Sequence, residues 1–310
     1  NYSCSRMRTP NGVDYPRSTK DARSNHSDEL VGSWRQRCCS DDGDFGRTNL
    51  ISAEIGTLET YLRKKRSEGH KLVVPYITGG FEGWTDAIRA AAANGADAIE
   101  IGIPFSDPVM DGPTIQHASE MALRNGATPI SILHELRSVD VGIPLAVMCY
   151  YNTVHHAGNE RFANSLREAG VCAAIVPDLP LEESGLWCAA ADTSGVETVM
   201  LAAPTAPDER LPRIIDRCKG FVYAVGLLGV TGERDTLAAS ALTLAKRLKA
   251  ITDVPVLIGV GVSNAQQAAE ACTIADGVVQ GASVMRRLIE EDADAVGDYI
   301  AEVRKAVDQC

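Results

Sequence analysis

From Leu58 to the C-terminus, short apolar runs alternate with stretches in which apolar residues recur at helical spacing. Leu58, Tyr61 and Leu62 share one face of a first helix. Apolar runs follow at residues 71–77, 98–103, 144–149, 173–176, 196–202, 221–225, 255–260 and 277–280. They are rich in Val, Ile and Ala without clean alternation, the signature of strands buried on both faces of a parallel sheet. Helix-like segments lie between them, among them 84–93, 159–169, 236–250 and 265–272; Ser263 with Gln266 has the spacing of a capping box at the start of the last. About eight strand–helix units over roughly 250 residues predict a (β/α)8 barrel of the TIM type, preceded by a short helix. An open doubly wound sheet would carry a Gly-x-Gly-x-x-Gly turn after its first strand, and Thr78-Gly79-Gly80 does not supply one.

Residues 1–50 break this pattern. They are rich in Ser, Arg, Asp, Asn and Gly, with nearly balanced charge and no apolar period. They are expected to be disordered or to lie outside the natural protein, with translation starting near Leu50. The expected division is therefore 1–50 as extension and 51–310 as catalytic barrel. His26 with Cys38-Cys39 makes a poor metal cluster.

Composition narrows the function. The 310 residues are 45% hydrophobic and 23% charged, as in a globular protein. No apolar run approaches the ~20 residues that span a bilayer, and the first stretch lacks the apolar centre of a secretory signal, so a cytoplasmic location is expected. A net charge of −11 speaks against a nucleic-acid surface but not against a phosphorylated ligand held by backbone N–H groups. The nine cysteines are scattered without a Cys-x-x-Cys pair and read as buried reduced thiols.

Barrel active sites form at the C-terminal ends of the strands. Glu100 stands out there, a carboxylate inside the apolar run Ala98–Ile103, where burial is costly unless the group is paired or used. Burial would raise its pKa, which suits a group that gives and takes a proton near neutral pH. The loop that follows is rich in Pro and Gly and carries Asp107 and Asp111. Glycines after the sixth, seventh and eighth strands (Gly229 and Gly232, Gly259 and Gly261, Gly281) suit a phosphate site. No Lys lies in the C-terminal half of any predicted strand, which disfavours a Schiff-base aldolase, and no His/carboxylate cluster suits a metal; His155-His156 reads as surface. Cofactor-free acid/base chemistry on a phosphate ester remains.

The run from Glu100 through Pro104-Phe105-Ser106-Asp107-Pro108-Val109-Met110-Asp111-Gly112 to Gln116 closely resembles the signature of tryptophan synthase α subunits. The similarity extends over about residues 58–289, taking in Pro75-Tyr76-Ile77-Thr78, Tyr150-Tyr151-Asn152 and Leu228-Gly229-Val230-Thr231-Gly232. The resemblance implies a carbon–carbon lyase of tryptophan biosynthesis that cleaves indole-3-glycerol phosphate to indole and glyceraldehyde 3-phosphate. Glu100 and Asp111 take the places of the family's catalytic acids, and Tyr223 that of a tyrosine that helps position Glu100 and the substrate. Tyr76 and Tyr150 would line the substrate pocket, with Thr231 in the loop that closes over it. Phosphate binding carries over to Gly232, Gly261, Gly281, Ala282 and Ser283. Position 282 is Ala where many relatives have Ser, so a hydroxyl contact is lost or moves to Ser283; position 260 is Val where an aromatic is common. The resemblance further implies no cofactor in this chain and a pyridoxal-phosphate β subunit as partner in an α2β2 heterotetramer, contacted through Asp107 and Pro108.

Three rivals stay open: a stand-alone lyase releasing free indole, a non-catalytic α-like activator of a β subunit, and another phosphate-binding barrel enzyme such as an isomerase. Retention of Glu100 and Asp111 disfavours the second, and the Glu-to-Asp run does not suit the third.

Overall fold

The computed structural model describes residues 56–226, 239–259 and 261–310. The expectation for residues 1–50 therefore lies outside the described residues, as do Thr231, Gly232 and Val260. Eight strands close a barrel in sequence order: β1 (Leu72–Thr78), β2 (Ile99–Gly102), β3 (Leu145–Met148), β4 (Ala173–Ile175), β5 (Glu197–Ala202), β6 (Val222–Val225), β7 (Val256–Gly259) and β8 (Gly277–Gln280). All neighbours are parallel, and β8 pairs back onto β1 from Leu72↔Gly277 to Pro75↔Gln280. Almost every strand residue is buried, which is why the runs carry no polar alternation.

Among the described residues twelve helices accompany these strands: α1 (Thr57–Ser67), α2 (Trp84–Ala93), α3 (Pro113–Arg124), α4 (Pro129–Leu136), α5 (Tyr151–Ala157), α6 (Asn159–Glu168), α7 (Gly185–Ser194), α8 (Arg210–Arg217), α9 (Ala239–Lys249), α10 (Ala265–Cys272), α11 (Ala282–Glu290) and α12 (Ala293–Val307). Among the described residues none is long and apolar enough to cross a membrane. The predicted capping box is displaced by one residue. Asn264 is the N-cap of α10, accepting from the Gln267 N–H at 2.9 Å, and the Gln267 side chain reaches back to the Ser263 N–H at 2.7 Å. His155 and His156 are exposed on α5. Cys149, Cys188, Cys218 and Cys272 are buried free thiols and Cys172 is half-buried, whereas Cys310 is exposed.

The N-terminal end of the barrel is closed by α1. Gly56 offers no side chain to cap that helix, so the Glu197 carboxylate, at the start of β5, accepts from the Leu58 N–H at 2.6 Å and the Glu59 N–H at 3.0 Å. A Cβ at Gly56 would overlap the Glu197 side chain, so the glycine is what lets the carboxylate approach. On the β1–β2 side of the same end, Arg304 of α12 pairs with buried Asp97 at 3.0 Å, and Asp97 also accepts the Val73 N–H at 2.9 Å. Polar interactions thus fasten this end and leave the opposite rim to the connecting loops.

Candidate active site

Glu100 sits on β2 with Tyr76 of β1 and Ala146 of β3 as its register partners. It is 3% exposed, and its Oε2 has no hydrogen-bond partner among the described residues. Loss of hydration, with the Asp111 charge adding to it, pushes its pKa from 4.5 to about 8. In a closed eight-stranded barrel β6 lies diametrically across from β2. The Tyr223 hydroxyl on β6 is raised by burial and then by Glu100, Tyr76 and Asp111, so these side chains share the barrel interior.

Asp111 comes from the loop after β2, which ends where Gly112 and Pro113 start α3; Pro at the first helical position loses no hydrogen bond there. The Gln116 Nε2 donates to the Asp111 carbonyl at 2.7 Å and fixes the backbone that presents its carboxylate. The Tyr150 hydroxyl accepts the Met110 N–H at 3.0 Å and is hydrogen-bonded to the Asp111 carboxylate. The Phe105 ring stacks on Tyr150 at 5.2 Å between centroids, completing an aromatic bracket. Burial raises Asp111 against that Tyr150 bond, leaving it at about 6. Near pH 7 Glu100 is therefore mostly protonated and Asp111 mostly ionised. Two buried carboxyls with opposite charge states can divide the roles of acid and hydrogen-bond acceptor. Asp111 Oδ1, like Glu100 Oε2, is buried without a hydrogen-bond partner among the described residues.

Two tyrosines flank this pair, each laid over a glycine of the next strand. A Cβ at Gly102 of β2 would overlap the Tyr76 hydroxyl, and one at Gly259 of β7 would overlap the Tyr223 ring. The glycines are what allow both rings to fold across the barrel mouth.

The late turns supply backbone rather than side chains. Gly261 has φ +89°, a conformation that glycine adopts without strain. The β8–α11 turn runs through Gly281 into Ala282 and Ser283. The next two N–H groups, of Val284 and Met285, already bond the Gly281 carbonyl, whereas no bond to those of Ala282 and Ser283 is found among the described residues. The Ser283 hydroxyl is not turned to the mouth. It is 1% exposed and accepts from the Tyr299 hydroxyl of α12 at 3.1 Å. Of the two outcomes left open by the sequence, a lost hydroxyl contact or one moved to Ser283, this bonding accords with the first and leaves the Ser283 N–H for an anion.

The family model for the tryptophan synthase alpha chain matches residues 62–309. The chain belongs to that family. It is 42% identical over 252 residues to the tryptophan synthase alpha chain of Streptomyces coelicolor, covering 80% of this chain and 93% of the relative. The alpha chain of Streptomyces avermitilis is 41% identical over 245 residues, 77% and 88% of the two chains. Among solved structures, a chain of Mycobacterium tuberculosis tryptophan synthase superposes with a TM-score of 0.77 at 34% identity, covering 82% of this chain and 99% of that one. Tryptophan synthase alpha chains are thus matched over nearly their whole length.

Of the residues expected from this family, Glu100, Asp111, Tyr76, Tyr150 and Tyr223 come together at one end of the barrel. Asp107 is exposed and Pro108 half-buried on the outer side of the loop that delivers Asp111, where Val109 is 66% exposed. Sequence reasoning missed the parts played by Gln116, Phe105, Gly102 and Gly259. The two glycines did carry a signal, since a glycine inside a strand marks close approach by a neighbour. Among the described residues no group of three or more His, Cys, Asp or Glu could hold a metal ion.

Proposed function

We propose that the chain cleaves indole-3-glycerol phosphate to indole and glyceraldehyde 3-phosphate, the α reaction of tryptophan synthase. The observation that carries the reading is the pair of buried carboxyls at the barrel mouth, Glu100 raised to about 8 and Asp111 to about 6, each with an oxygen lacking a partner among the described residues. Glu100, protonated at neutral pH, gives its proton to the indole ring carbon that bears the glycerol chain. The ring then carries positive charge, and Asp111 accepts from the indole N–H to stabilise it. Glu100, now a carboxylate, takes the proton of the adjacent side-chain hydroxyl. The carbon–carbon bond breaks, its electrons return to the ring, and an aldehyde leaves. Proton count balances without a cofactor.

Tyr76, Tyr150 and Tyr223 form the walls around the substrate, with Thr231 in the loop that covers it. Backbone N–H groups at Gly232, Gly261, Gly281, Ala282 and Ser283 hold the phosphate, aided by the α11 dipole. Asp107 and Pro108 contact a β subunit, in an α2β2 assembly. The test is indole release from indole-3-glycerol phosphate by the full chain, with and without an added tryptophan synthase β subunit. Weak activity rising strongly with β supports the reading; no turnover by folded protein in either case rejects it. Glu100→Gln should abolish cleavage while sparing β binding.

A further inference from the structure

The Tyr299 hydroxyl brackets the β8–α11 turn from outside the barrel. It accepts from Gln280 Nε2, on the last residue of β8, at 2.6 Å and donates to Ser283 Oγ, in the first turn of α11, at 3.1 Å. Gln280, Ser283 and Tyr299 are 0%, 1% and 3% exposed, so water does not compete for these bonds. Arg287, one turn further along α11, lies over the Tyr299 ring at 3.6 Å and donates to the Ser283 carbonyl at 2.7 Å. The two residues between the bracketed positions are Gly281 and Ala282. Neither has a polar side chain, and a Cβ at Gly281 would approach Ile115 at 3.1 Å and Tyr76 at 3.7 Å, so this turn abuts the candidate site directly.

We infer that Tyr299 is a positioning residue for the substrate phosphate, holding the Gly281–Ser283 backbone in register from α12. The inference rests on the proposed phosphate role of that turn. With alanine at 282 and the Ser283 hydroxyl turned away, the grip depends on backbone N–H direction alone. Such a grip fails when the turn rotates. Gln280 and Ser283 fix the two ends of the turn, and a single phenol on another helix holds both.

Tyr299→Phe removes the hydroxyl and keeps the ring under Arg287. The full chain and this variant are compared by steady-state cleavage of indole-3-glycerol phosphate and by calorimetric binding of glycerol 3-phosphate and of indole. A purely structural residue would lower kcat and thermal stability and weaken both ligands together. The expected pattern is a KM and a glycerol 3-phosphate Kd raised about tenfold, the effect of losing roughly one to two buried hydrogen bonds, with kcat and indole binding unchanged. Ser283→Ala, which removes the opposite partner, should reproduce the shift, and the double variant should add little to either. Unchanged glycerol 3-phosphate binding in Tyr299→Phe, or in Ser283→Ala should the first not fold, overturns the positioning role. Failure of the unsubstituted chain to bind glycerol 3-phosphate overturns the phosphate reading itself, and the inference with it.

Discussion

Replacing Glu100 by Gln keeps the shape of the β2 end and removes its titration, so the variant separates what the carboxyl does for catalysis from what it costs the fold. In the folded chain the carboxyl is displaced from 4.5 to about 8, chiefly by burial. Between those values the folded chain keeps a proton that the unfolded chain has released. Stability therefore falls as pH rises through that window, is flat below it, and levels off once the folded carboxyl also ionises. The displacement is about 3.5 pH units, which at 1.36 kcal/mol each amounts to about 5 kcal/mol, a large fraction of the stability of an ordinary domain. Glutamine stays neutral in both states and carries no such dependence. Unfolding free energies from urea titrations at pH 4 and pH 9 should thus favour Glu100→Gln at the higher pH by about 3–5 kcal/mol relative to the lower. Comparing the two proteins at each pH cancels the titrating groups that do not interact with Glu100, leaving its own displacement together with its coupling to Asp111. A difference between them that stays constant within about 1 kcal/mol across this range would refute a buried, displaced carboxyl at position 100.

The same two groups set the pH–rate profile. kcat/KM for indole-3-glycerol phosphate should rise through about 6 as Asp111 ionises and fall through about 8 as Glu100 loses its proton, the limbs belonging to the coupled pair; a flat profile from pH 5 to 9 would reject the assignment. Gly259→Ala sets a methyl against the Tyr223 ring, and Gly102→Ala one against the Tyr76 hydroxyl. Either should cost about 10²-fold in kcat/KM with the far-ultraviolet circular dichroism unchanged, the price of moving a site group by about 1 Å. Glu197→Ala uncaps α1 and should lower stability by about 2 kcal/mol, or roughly 4–8 °C in Tm, with kcat unaffected; a loss of kcat in folded protein would contradict a role confined to the closed end of the barrel.

How much of this was legible in the sequence depends on the range over which each constraint acts. All eight strands were readable because a strand buried on both faces needs a short apolar run, and the helix-period segments between them left one topology open. Glu100 was readable because a carboxylate in such a run is costly. Asp111 was marked more weakly, by its place with Asp107 in the loop after that strand and then by a family signature, since an acidic turn by itself has many uses. The contacts that set its charge state were beyond reach. Tyr150 meets it from the far end of β3, and no local pattern joins a tyrosine to an aspartate 39 residues earlier. The choice between a lost hydroxyl contact and one moved to Ser283 stayed open in the sequence for a related reason. Adjacent residues at a helix start point about 100° apart, so which of positions 282 and 283 faces the mouth turns on where α11 begins, and the sequence left that boundary open. The N-cap of α10 moved by one residue on the same uncertainty. The strand glycines are different. A glycine in a buried strand, even at its last residue, weakens it unless something fills the missing volume. At Gly102 and Gly259 the filler is a tyrosine from the preceding strand, at the two places where a ring must cross the barrel toward Glu100. Glycines at the C-terminal ends of barrel strands therefore point to aromatic site walls before any motif is recognised.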